Sequence, residues 1–188
     1  MSLAQWIAEA GELGLAVSGL ACSDRCVPLL GGDDELLRPL WSSLTEDAGA
    51  DEWGVRLRQV RERLAGHPAP AEDEAVRLAR RMLATAPGEP SGAGLREWAD
   101  ACSAASLCVH RLLESAAAVA DAEWADGLRA GRTDGVSPLV AAELRDQTTV
   151  LELLAAHGTA GLRPALAVTT EGRRVLRAVV SRRARGRG

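Results

Sequence analysis

The chain has 188 residues, which is enough for one domain with a hydrophobic core. Hydrophobic residues make up 47% and charged residues 26%, a balance that indicates a globular protein and excludes global disorder. Lys and Tyr are absent, so every one of the 22 basic residues is Arg. Their absence excludes lysine Schiff-base chemistry, a phosphate-binding lysine and tyrosine acid–base chemistry.

Residue usage predicts the fold class. Ala, Leu, Arg and Glu favour helices, whereas Phe and Tyr, two of the residues that favour strands, are missing and Ile7 is the single Ile. We therefore predict an all-α bundle of six or seven helices. The same bias is typical of a bacterial genome of high GC content.

The N-terminal half, residues 1–86, is predicted to hold four helices. Ser2 with Gln5 three residues later is the pattern of a capping box, and the first helix is expected to end near residues 22–24. Pro39 marks either the start of a short second helix or a kink in it. The third and fourth helices are predicted over 51–65 and 71–85.

Residues 87–94 read as a linker, and a long amphipathic helix from Leu95 to Arg129 follows it. At 1.5 Å per residue this helix would be about 52 Å long, whereas a domain of this size is about 40 Å across. Either the helix breaks around Ala116–Ala122, or its far end protrudes. In the second case Trp124 and Leu128 would form a partner surface.

The C-terminal half, residues 95–180, is expected to pack on the first half as one domain. Ser137 and Pro138 predict the start of a helix that ends at His157. Residues 162–168 are the one stretch that fits a short strand. Thr169 or Thr170 then caps a last helix, and residues 181–188 are predicted to be a disordered basic tail.

Charge is distributed unevenly along the chain. The net charge is −4 and residues 173–188 contribute +7, so the other 172 residues carry −11. We expect the basic residues either to bind nucleic acid through phosphate charge or to dock on the acidic body or an acidic partner. They are Arg173, Arg174, Arg177, Arg182, Arg183, Arg185 and Arg187.

Two segments resemble a known family. The sequence AVTTEGRRVL at residues 167–176 is similar to the end of the wing and the start of the last helix in winged-helix regulators of the MarR and PadR type. Ser137-Pro138 resembles the start of their recognition helix. The resemblance implies a transcriptional regulator whose helix 137–157 reads the major groove, although that helix is longer than the family's.

Neither a metal nor a catalytic residue is predicted. Cys22 and Cys26 are four residues apart, and Cys108 and His110 are two apart, so neither pair has the spacing of a common zinc site. On a helix Cys102 lies on the apolar face, where a thiol acts as a small hydrophobe. We expect no cofactor.

The Trp residues offer the remaining hypothesis for a site. We expect core packing for most of them, with a Trp-lined ligand pocket as the alternative. Its candidate residues are Trp6, Trp41, Trp53, Trp98 and His110. The sequence thus favours a non-enzymatic regulatory or interaction protein, self-associating or bound to another protein, cytoplasmic and without a membrane span; the alternatives are a nucleic-acid-binding regulator and a small-molecule binder or enzyme.

Overall fold

The computed structural model describes residues 1–45, 51–66, 73–115 and 118–186. These residues form helices and no strands, which confirms the predicted all-α bundle. Short 3₁₀ helices lie at Val27–Leu29 and Gly158–Gly161. The α-helices are α1 (Leu3–Glu9), α2 (Glu12–Arg25), α3 (Arg38–Ser42), α4 (Glu52–Ala65), α5 (Glu74–Ala84), α6 (Gly92–Glu114), α7 (Ala122–Arg129), α8 (Pro138–His157) and α9 (Leu162–Arg185).

Several helix ends follow from local sequence. Ser2 and Gln5 form the predicted capping box, in which each side chain bonds the backbone N–H of the other. The Ser137 hydroxyl caps α8 by accepting from the N–H of Val140. Gly158 ends α8 with a φ of +54°, a conformation that favours glycine.

The prediction of one continuous helix over residues 95–129 is wrong. The alternative, a break around residues 116–122, is confirmed. α6 ends at Glu114, where Ser115 is extended, and α7 starts at Ala122. The Asp121 carboxylate accepts from the N–H of Trp124 and so begins a new helix. The predicted first helix is likewise divided, because Ala10 and Gly11 are both extended between α1 and α2.

The C-terminal region also differs from the prediction. Residues 162–168 are helical, and α9 continues to Arg185, so neither the strand nor a disordered segment over 181–185 is correct. Thr169 and Thr170 do not cap a helix; each hydroxyl donates to the carbonyl four residues earlier inside α9. The wing implied by the resemblance to winged-helix regulators is therefore wrong, because its residues lie within one helix. Residues 187 and 188 are outside the described residues.

The centre of the fold is α2. Each of its residues from Leu15 to Arg25 is buried, and it packs against α6, α8 and α9. A helix that is apolar on most sides, as LGLAVSGLAC is, belongs in the interior. α6, the main part of the long helix predicted over residues 95–129, is one of several helices that pack around α2. None of the helices in the described ranges is long and apolar enough to cross a bilayer.

Gly19 permits the closest approach of α2 to α6. A Cβ at this position would lie 2.5 to 2.8 Å from three carbons of the Trp98 ring. Trp98 has no room to move, because it is 4% exposed, its indole N–H donates to the Met82 carbonyl at 2.7 Å, and its ring meets Trp53 edge-on at 6.0 Å. The contact between the first and second halves of the chain thus requires glycine.

Arginine side chains also close the carboxyl ends of three helices. Arg96 donates to the carbonyls of residues 7 and 8 in the last turn of α1 and to that of residue 10 just after it. Arg61 does the same for residues 83, 84 and 86 at the end of α5, and Arg183 reaches the Leu112 carbonyl near the end of α6. Each cation satisfies carbonyls that lack a helical partner and lies at the negative end of a helix dipole.

Substituting Gly19→Ala tests the close approach of α2 and α6. We expect a loss of about 1–3 kcal/mol in the free energy of unfolding, because the new methyl group overpacks a rigid ring. Gly94→Ala is the matched control, since nothing lies within 4 Å of a Cβ there and the position is exposed and helical. Urea denaturation should show Gly94→Ala unchanged or slightly stabilised; equal effects of the two variants would contradict the close contact.

Candidate functional site: a buried polar cluster

The strongest polar interaction in the structure joins two helices that are far apart in sequence. Arg25 at the end of α2 donates from Nε and Nη2 to the two carboxylate oxygens of Glu143 in α8, both at 2.7 Å. Both side chains are 0% exposed. The geometry is bidentate, the form in which an arginine and a carboxylate bind most strongly.

Glu143 accepts further hydrogen bonds from α6 and from its own helix. The Ser106 hydroxyl donates to it at 2.7 Å and the Gln147 amide at 2.8 Å. Gln147 in turn accepts from the Ser103 hydroxyl at 2.6 Å. The cluster therefore links α2, α6 and α8, and each oxygen of the buried carboxylate has donors.

His110 completes the cluster on α6. Its Nδ1 lies 2.7 Å from the Ser106 carbonyl, and because a carbonyl only accepts, Nδ1 carries the hydrogen. Its Nε2 faces the Glu143 carboxylate at 3.4 Å. Glu114, four residues further along α6, accepts from the N–H of Leu139.

The pKa values of the pair follow from its geometry. Burial acts to raise the pKa of the Glu143 carboxyl, but the Arg25 charge and the hydrogen bonds to the carboxylate outweigh it and lower the pKa from 4.5 to about 2. The carboxylate in turn raises the pKa of Arg25 above its ordinary value despite burial. Both groups are charged near neutral pH and closed to solvent, so the arrangement is suited to holding helices together and not to proton transfer.

A second buried pair lies beside the first. Arg173 of α9 donates from Nη1 to Asp24 of α2 at 2.5 Å, and the Trp41 indole donates to the other oxygen at 2.9 Å. Burial raises the pKa of the Asp24 carboxyl, and Arg173 and Trp41 offset that rise only in part. Arg173 also meets Asp34, which pairs with Arg177 one turn further along α9.

The cysteines are buried next to this cluster. Burial raises the pKa of Cys22 to about 12 and that of Cys26 still higher, so neither thiol is ionised near neutral pH. Cys102 is 1% exposed, and the Cys108 thiol donates to the Asp121 carbonyl at 3.6 Å. Among the described residues, no group of three His, Cys, Asp or Glu side chains is arranged to hold a metal ion.

The residues proposed for a Trp-lined pocket do not converge. Only Trp53 and Trp98 are in contact with each other, and both are buried in the core with their indole N–H groups bonded to backbone carbonyls. Trp41 bonds Asp24, Trp6 is half-buried beside α8, and His110 belongs to the polar cluster. A single pocket made from these five side chains is therefore wrong.

The two residues proposed for a partner surface are both partly or fully covered in α7. Leu128 is 3% exposed and packs in a small core cluster. The Trp124 ring is half-buried, and the Arg111 guanidinium lies 4.3 Å from its centroid. Because α7 folds back onto α6, the end that was expected to protrude is covered by the chain itself.

The C-terminal arginines divide into two groups. Arg173 and Arg177 dock on acidic residues of the body, and Arg183 caps α6, as described above. Arg174 pairs with Glu171 on the surface of α9, and Arg182 and Arg185 are exposed. The prediction that the C-terminal arginines dock on the acidic body is thus confirmed for two of the seven. Nucleic-acid binding by the other arginines stays a prediction. Arg187 lies outside the described residues.

Sequence reasoning missed the residues of the buried cluster, although two signals were available. Arg25 is the last residue of a helix that is apolar on most sides, which favours a position against the interior for its side chain. Glu143 and Gln147 stand at the helical spacing of the apolar residues Val140, Val150 and Leu154, on the face of α8 that is buried. Polar residues on such a face indicate a buried hydrogen-bonded network.

Comparison with known protein families, with curated proteins and with solved structures finds no match to this chain. The function has to be inferred from its own residues.

A double-mutant cycle tests the buried pair. We expect Arg25→Met and Glu143→Gln each to lower the free energy of unfolding by about 3–5 kcal/mol, because each leaves one buried charge without its partner. The double variant should be more stable than either single variant, since it removes both charges. Urea denaturation measures all four proteins; additive losses would contradict the coupling.

The same pair makes a specific contribution to the pH dependence of stability. A depressed carboxyl pKa stabilises the fold above the ordinary value of 4.5, and this contribution is lost as the pH falls toward 2. The raised pKa of Asp24 acts in the opposite direction, but it is present in both wild type and the Arg25→Met/Glu143→Gln variant. Urea denaturation measures the free energy of unfolding of both proteins. Between pH 6 and pH 2 we expect the value for wild type to fall, relative to that of the variant, by on the order of 3 kcal/mol. A difference between the two proteins that stays constant with pH would refute the assignment.

Proposed function

We propose that the protein is a non-enzymatic interaction protein that self-associates through the outer face of α9. The observation that carries the proposal is an apolar groove of about 600 Å³ between α8 and α9, next to the end of α6. Val175 and Val179 of α9 form one wall, and Leu139 and Ala142 of α8 form the other. Val175 is 46% exposed, so the groove presents apolar surface to solvent.

The charges around this groove favour a second copy of the same chain as the partner. Glu171, Val175, Val179 and Arg182 are spaced by four, four and three residues, so they share one face of α9; we call these residues the α9 stripe. The stripe has an acid at one end, a base at the other and two valines between them. Such a pattern is complementary to itself when two copies run antiparallel.

A two-fold axis near residue 177 specifies the contacts. It places Val175 opposite Val179 of the second copy and Glu171 opposite the second copy's Arg182. The two apolar pairs then lie side by side with an ion pair at each end, the arrangement of an apolar interface core with a charged rim.

Other features agree with a binding rather than a catalytic role. The most elaborate polar cluster is closed to solvent and keeps its charges, as argued from the pKa of Glu143. The α9 helix is fixed on the body by Arg173 and Arg177, so its outer face is a preformed surface. We place the protein in the cytoplasm as part of this proposal.

Molar mass measured by light scattering over a range of concentrations tests self-association. We expect a monomer–dimer equilibrium in wild type that Val175→Glu and Val179→Glu shift to monomer, because a charge enters the apolar centre of the interface. Val55→Glu is the matched control, since Val55 is 39% exposed on α4, outside the groove. A wild type that stays monomeric at every concentration would overturn the proposal, and a dimer insensitive to both variants would place the interface elsewhere.

Charge reversal in the same assay tests the antiparallel arrangement. Glu171→Arg and Arg182→Glu should each weaken the dimer about tenfold or more, since each places like charges opposite one another. The double variant Glu171→Arg/Arg182→Glu should recover most of the affinity, because opposite charges again face each other. Recovery is specific to this pairing, and its absence would exclude the proposed two-fold axis.

A further inference from the structure

A second cleft lies between α5 and α6, away from the α9 stripe. It encloses about 300 Å³ and is closed at one end by residues 120–122. Met82, Cys102 and Cys108 form its buried floor, each no more than 5% exposed. Its volume is at the lower end of the range for small-molecule sites, about 300–1,000 Å³.

The cleft exists because the side chains around it are small. Ala101, Ala104 and Ala105 of α6 face it, and Ala120 and Ala122 line the closed end. Protein interiors are ordinarily filled to high density, so the alanine methyl groups on the α6 wall and at residues 120–122, opposite Leu78 and Met82 of α5, leave apolar surface that larger residues would have covered. An apolar ligand entering this gap removes that surface from water.

One positive charge stands at the mouth of the cleft. Arg81 is exposed there and forms no ion pair or hydrogen bond through its side chain with any residue in the described part of the chain. The two other polar residues on the rim are already engaged. Asp121 caps α7 and lies 4.0 Å from Arg111, and the Thr85 hydroxyl donates to the Arg81 carbonyl.

We infer that this cleft binds a medium-chain aliphatic carboxylate, with its chain over the sulfur-lined floor and its carboxylate at Arg81. Since a water-sized group occupies about 30 Å³, the cleft has room for about ten heavy atoms, the size of octanoate. A guanidinium binds a carboxylate through two parallel hydrogen bonds, which selects this head group over an alcohol or an amine.

Calorimetric titration with octanoate, below its micelle concentration, tests the site. We expect saturable binding of one molecule per chain, weakened about tenfold by Arg81→Gln through loss of a charge-assisted hydrogen bond. Arg58→Gln, an exposed arginine on α4, is the control and should leave the affinity unchanged. Octanol should bind wild type and Arg81→Gln equally weakly, and octylamine more weakly still.

Filling the cleft gives a second readout. Ala104→Leu should abolish binding of both octanoate and octanol, and Ala101→Leu, at an exposed position on the rim, does the same with less risk to folding. Ala93→Leu, exposed on α6 outside the cleft, is the matched control. Thermal unfolding followed by circular dichroism shows that each variant is folded.

Three results would overturn the inference. These are no saturable binding of octanoate to wild type, octanol binding as tightly as octanoate, and octanoate binding that persists in both cleft-filling variants. The cleft shares no residue with the α9 stripe, so failure here leaves the dimer assays unaffected, and a monomeric wild type leaves this test intact.

Discussion

The fold depends on one buried ion pair, Arg25 with Glu143. Removing two charges from water costs several kcal/mol per ion, and attraction offsets this only with good geometry and further hydrogen bonds. The bidentate contact and the donors Ser106 and Gln147 supply both. A displaced helix would leave a bare charge in the core, so the position of α8 against α2 and α6 is fixed by the hydrogen bonds that both oxygens of the Glu143 carboxylate accept.

Close packing around the ion pair also restricts how the helices can be arranged. At Gly172 of α9, a Cβ would lie 2.5 Å from Arg25 Cδ and 2.7 Å from a carboxylate oxygen of Asp146. The backbone of α9 therefore passes directly over the ion pair, and one residue later Arg173 enters the interior to meet Asp24. The buried Arg173–Asp24 pair and one glycine packed over the Arg25 side chain fix α9 against α2, and together they define the rotation of α9 about its own axis.

Sequence periodicity predicted much of the fold and little of the cluster. Local signals were sufficient for Ser2 and Ser137, whose side chains cap the helices that follow. The long helix over residues 95–129 failed because an apolar spacing continues through a break, whereas the cap that ends the break depends on the single side chain of Asp121. Hydrophobic spacing indicates which face is buried, but it does not indicate where a helix stops.

The cluster could not be predicted for a different reason. Arg25 and Glu143 are 118 positions apart, and although local patterns favour a buried position for each of them, neither pattern identifies the other residue as the partner. Their partnership depends on how α2 and α8 cross, which is a property of the assembled bundle. The five residues of the proposed Trp pocket do not converge for a related reason: Trp53 and Trp98 pack on each other and bond backbone carbonyls, whereas Trp41 bonds Asp24.

The C-terminal arginines connect the interior with the proposed surface. In a disordered tail these arginines would share a single property, their positive charge. In α9 they have three different roles: Arg173 is a core residue, Arg183 caps a neighbouring helix, and Arg182 faces outward on the α9 stripe. Since the rotation of α9 is set by its buried pair and by its packing over Arg25, the direction in which Val175 and Arg182 face is set by them as well. The polar cluster therefore bears on function indirectly: it holds the surface through which the protein is proposed to associate.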